Sequence, residues 1–90
     1  MTKKIAVVVR DRADEALRMA IGLTLADDAV DVFMLNHKLQ RTEANALNID
    51  TVRDLELGLY SNVKDDPETT WIATPELANK LLEYDAILPY

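Results

Sequence analysis

The sequence of 90 residues contains no cysteine. Disulfides, thiolate catalysis, persulfide carriage and cysteine-ligated metals are therefore excluded, because each needs the sulfur atom itself. Glycine and proline are also scarce, with two and three residues, while 49% of the chain is hydrophobic. That composition argues against a disordered or low-complexity chain. The length predicts one domain over residues 1–90, because chains divide into domains only well above this size.

Positive charge is the next shortage: ten Lys and Arg stand against sixteen Asp and Glu, for a net charge of −6. Binding to nucleic acid or to anionic membranes needs clustered cations, so neither partner is expected. Only five apolar residues separate Lys4 from Arg10, too few for a signal-peptide core or a membrane span. We therefore expect a cytoplasmic protein.

Apolar runs alternate with helical patterns along the chain. "KKIAVVVR", "AVDVFMLN", "GLYSNV" and "YDAILPY" predict four strands. "DRADEALRMAIGLTLADD" predicts a helix capped by Asp11, and "TPELANKLLEY" a helix capped by Thr74 with Pro75 at its first position. "IDTVRDLEL" suggests a short helix capped by Asp50, and the conformation of residues 38–57 is otherwise left open.

This alternation predicts an α/β fold with three layers and a four-stranded parallel sheet in the flavodoxin-like order 2-1-3-4. In that order, right-handed crossovers place the first helix alone on one face of the sheet. One helix cannot cover four strands, and its apolar residues spread widely around its axis. We therefore predict a homo-oligomer, with an interface formed by Leu17, Met19, Ile21 and Leu23. A thick core with some exposed apolar residues is the alternative.

Three segments resemble the DsrE/DsrF-like family of small α/β subunits in bacterial sulfur-relay systems. They are "KKIAVVV", "EALRMAIGLTLADDAVDVFMLN" and "PELANKLLEYDAILPY". The resemblance implies a flavodoxin-like fold, a cytoplasmic location and assembly into multimers. In the family's sulfur carriers, a cysteine just beyond the third strand holds the persulfide. The corresponding tip here contains Tyr60, Ser61, Asn62 and Val63. The resemblance thus implies a non-catalytic subunit that contacts other sulfur-relay subunits, or a relative put to another use.

A second hypothesis concerns the crevice at the carboxyl ends of strands one and three, which the order 2-1-3-4 makes neighbours. Three cations and two hydrogen-bonding side chains would meet there and bind an anion, as open α/β sheets do at this position. Those residues are Arg10, Arg12, Ser61, Asn62 and Lys64. Against this, the turn "RDRADE" has no glycine and carries acids at the helix N-terminus. Loop charges that only solvate the strand tips are the alternative.

Catalytic, metal and cofactor sites are not predicted. His37 is the one histidine and could act as a base for Ser61, but Ser61 is not in a glycine-flanked nucleophile elbow and no third residue is evident to orient the imidazole. "KDDPE" lacks the alternating oxygen ligands of a calcium loop, so a solvated turn around Pro67 is expected. Trp71 and Ile72 are expected to pack under the last helix as core or interface residues.

Overall fold

The computed structural model describes residues 3–26, 28–36, 39, 42–64 and 66–90. In this part of the chain, three helices and five strands follow one another. They are β1 Lys4–Val9, α1 Ala13–Leu25, β2 Ala29–Met34, α2 Glu43–Asp54, β3 Gly58–Ser61, β4 Thr70–Trp71, α3 Thr74–Leu81 and β5 Ala86–Pro89. The predicted α/β class is confirmed, and every strand pair is parallel.

The strand order is β4-β3-β2-β1-β5, so the predicted four-stranded order 2-1-3-4 is wrong. β3 lies beside β2, and β5 takes the place next to β1 that had been predicted for β3. The pairing of Asp31 with Gly58 gives a physical reason. The Asp31 carboxylate lies over Gly58 and accepts its N–H at 3.1 Å, and a Cβ at residue 58 would overlap that carboxylate.

The corrected order changes which helices share a face of the sheet. The chain moves in one direction from β1 to β2 to β3, so right-handed crossovers place α1 and α2 on the same face. The return from β4 to β5 places α3 on the opposite face. Two separate apolar clusters follow from this arrangement, one under α1 and α2 and one under α3.

β1 lies between β2 and β5 and is buried on both faces, as its continuous apolar run predicts. Its side chains alternate between the clusters: Val7 and Val9 point toward α1 and α2, while Ala6 and Val8 point toward α3. Leu77 and Phe33 complete the smaller cluster under α3.

The helix boundaries differ from the prediction where a cap was inferred from one residue type. α1 follows Arg12 with no side-chain cap, so Asp11 does not cap it. Thr74 lies within the first turn of α3, which follows Ala73. α2 is longer than expected, because Thr42 caps it by accepting the N–H of Asn45, and Asp50 lies inside it.

Candidate functional site

The carboxyl edge of the sheet contains all five residues of the predicted anion site, but the structure does not bring them together. β2 lies between β1 and β3, so the premise that β1 and β3 are neighbours is wrong. One intervening strand separates the tips of β1 and β3 by roughly 9–10 Å. Arg10 and Arg12 therefore belong to one part of this edge, and Ser61, Asn62 and Lys64 to another.

The β1–α1 turn is occupied by Tyr90. The backbone N–H groups of Asp11 and Arg12 both donate to the main-chain oxygen of Tyr90, at 3.2 and 3.1 Å. The Arg12 guanidinium lies 5.5 Å from the centre of the Tyr90 ring and 3.3 Å from Glu15 Oε2. Arg10 is exposed. The donors that would face an anion at this strand-to-helix turn are thus already used within the chain.

At the tips of β2 and β3, three polar side chains form a connected group, which we call the Asn62 cluster: Asn36, Asn62 and Thr74. Asn62 Oδ1 accepts the backbone N–H of Asn36 at 2.7 Å. Its Nδ2 donates to Asn36 Oδ1 at 3.0 Å and to Thr74 Oγ1 at 3.2 Å. One amide side chain therefore joins the end of β2, the end of β3 and the start of α3.

The backbone around the Asn62 cluster suits this role. Asn36 has φ of 62°, a left-handed conformation that asparagine adopts more readily than most residues. Ser61 is fully buried, and its hydroxyl accepts the N–H of Val63 at 3.0 Å. Lys64 is exposed, with its Nζ 4.8 Å from the centre of the Trp71 ring. Trp71 is half-exposed in β4, whereas Ile72 packs into the cluster under α3, as expected.

A polar pair on the α3 face, Asp31 and Tyr84, was not anticipated. The Tyr84 hydroxyl donates to Asp31 Oδ2 in a short hydrogen bond, while Gly58 N–H donates to Oδ1. Burial, and then the hydrogen bond to Asp31, raises the pKa of Tyr84 far above its ordinary value. Through these hydrogen bonds, the pair ties the α3–β5 connection to β2. An acid in the middle of "AVDVFM" was the available signal.

The turn around Pro67 is more structured than the predicted solvated turn. Asp66 is buried and accepts the N–H groups of Leu39 at 2.7 Å and Glu68 at 3.0 Å. Arg53 lies 2.8 Å from Glu68 Oε2. A search of the described residues finds no group of three potential metal-ligating side chains. His37 and Asp65 lie outside those residues, so the Ser61–His37 hypothesis has no structural outcome.

The four residues of the predicted interface occupy different environments. Leu17 is fully buried in the core beneath α1 and α2. Ile21 and Leu23 are partly buried against the same core. Met19 alone among them is largely open to solvent, with 41% of its surface exposed. Because α2 shares the face with α1, the reason for expecting a partner over Leu17, Ile21 and Leu23 no longer holds.

Comparison of the chain with protein-family models, with curated proteins and with solved structures found no match in any of the three searches. Among the described residues, none of the helices combines the length and the apolar character needed to cross a bilayer.

Proposed function

We propose that this protein is a non-catalytic interaction subunit of the DsrE-like type, acting in the cytoplasm in sulfur-relay or related redox complexes. The single observation that carries the proposal is the tip of β3. In the family's carriers the persulfide cysteine lies just beyond this strand, and here Ser61 is buried and Asn62 is hydrogen-bonded to two other elements.

The chemistry of the β3 tip supports a binding role and not sulfur carriage. A hydroxyl cannot hold a sulfane sulfur, and the Ser61 side chain has no exposed surface with which to meet a donor. Asn62 uses both its amide oxygen and its amide nitrogen within the Asn62 cluster. This position therefore braces the edge of the sheet, and the contribution to a complex would come from surface contacts.

An anion-binding or nucleotide-binding module is the rival proposal, in which the same carboxyl edge binds a small molecule. The cations Arg10 and Lys64 at this edge support it. It is the weaker of the two, because the N–H groups of Asp11 and Arg12 are bound to the Tyr90 oxygen and because β2 separates the two groups of site residues.

Restoring the missing sulfur atom tests the proposal. The variant Asn62→Cys places a thiol where the family's carriers have theirs, and Asn79→Cys places a control thiol at an exposed position of α3. Both variants and the wild type are incubated with a sulfur-relay donor protein loaded with radiolabelled sulfane sulfur. We expect label on Asn62→Cys, much less on Asn79→Cys and none on the wild type.

Equal labelling of the two cysteine variants, or labelling of neither, would remove the β3 tip as the equivalent of the family's sulfur site. Circular dichroism of both variants checks that the fold is retained. In parallel, the tagged wild type is used to capture partners from host extract. Recovery of sulfur-transfer proteins supports the subunit, whereas a metabolite bound to the purified protein supports the rival.

A further inference from the structure

We draw no further inference here: the strongest candidate, the open groove along the outer side of α1 that Met19, Gly22 and Tyr90 line, carries none, because nothing in the structure shows what covers it.

Discussion

At the scale of single residues, the hydrogen bond between Tyr84 and Asp31 carries the clearest stability prediction. Tyr84→Phe removes a donor from a carboxylate that lies between β2 and the α3–β5 connection. Hydrogen bonds to charged groups contribute about 1.5–3 kcal/mol, so we expect the free energy of unfolding to fall by about that amount. Urea denaturation followed by circular dichroism measures it.

Tyr60→Phe is the matched control. The Tyr60 ring stacks on Phe33 with centroids 5.2 Å apart, and that stacking survives loss of the hydroxyl. The change should therefore alter the free energy of unfolding by less than about 0.5 kcal/mol. Equal losses in Tyr84→Phe and Tyr60→Phe would contradict the importance assigned to the bond with Asp31.

The raised pKa of Tyr84 gives a pH dependence of definite sign. In the folded protein, burial and Asp31 hold the Tyr84 phenol neutral. In the unfolded chain the same phenol ionises at about pH 10. The stabilisation is therefore complete below that pH and is lost as the pH rises above it, by up to about 1.4 kcal/mol per pH unit. We expect the stability difference between wild type and Tyr84→Phe to be constant up to about pH 9 and then to shrink, which urea titrations across pH 7–11 would measure. A constant difference up to pH 11 would contradict this.

At the scale of elements, the two glycines lie in opposite environments and should respond oppositely to alanine. A Cβ on Gly58 would overlap the Asp31 carboxylate and lie 2.6 Å from Tyr60 Cε2. A Cβ on Gly22 would meet open space on an exposed part of α1. We expect Gly58→Ala to destabilise the fold by about 1–3 kcal/mol, because it displaces the Asp31 carboxylate and the Tyr60 ring from their packed positions. Gly22→Ala should stabilise it by about 0.5–1 kcal/mol through helix propensity. Thermal unfolding of both variants measures the two changes in stability. If both variants were stabilised, or both destabilised, the environment described for one of the two glycines would be wrong.

The elements also show what the sequence can and cannot predict. The continuous run in β1 and the alternation of strands and helices were enough for the α/β class. The strand order was not predictable, because "GLYSNV" and "AILPY" are equally short apolar runs and either fits beside β1. The contact that favours β3 beside β2 is the Asp31 carboxylate against Gly58. It is possible because residue 58 has no side chain.

The five residues of the predicted anion site lie apart for the same reason, because the predicted strand order placed β3 beside β1. Ser61 and Asn62 do lie at the carboxyl edge, as the position of β3 in the chain predicts. The partners of Asn62 are Asn36 and Thr74, and these follow from β2 and not β1 lying next to β3. β4 was missed because two residues give no periodicity to detect.

At the scale of the whole molecule, the protection of backbone amides from hydrogen exchange should decrease from the centre of the sheet to its β4 edge. β1 is buried from Ile5 to Val9 and lies between two strands, whereas β4 has two exposed residues and forms one edge of the sheet. We expect the amides of Val7 and Val9 to exchange with solvent slowest and those of Thr70 and Trp71 at least about a hundredfold faster, because edges open locally without global unfolding. Hydrogen exchange followed by NMR measures both. Equal rates would mean that the sheet opens only as one unit.

The main-chain oxygen of Tyr90, which accepts the N–H groups of Asp11 and Arg12, has a consequence for any molecule that competes for the same turn. A phosphate or carboxylate arriving there must first displace an acceptor that is covalently attached and always at hand. Two hydrogen bonds of this kind contribute about 1–3 kcal/mol together, which corresponds to a roughly five- to 150-fold loss of affinity. Through the residue that follows β5, the fold itself competes with an anion for these two N–H groups.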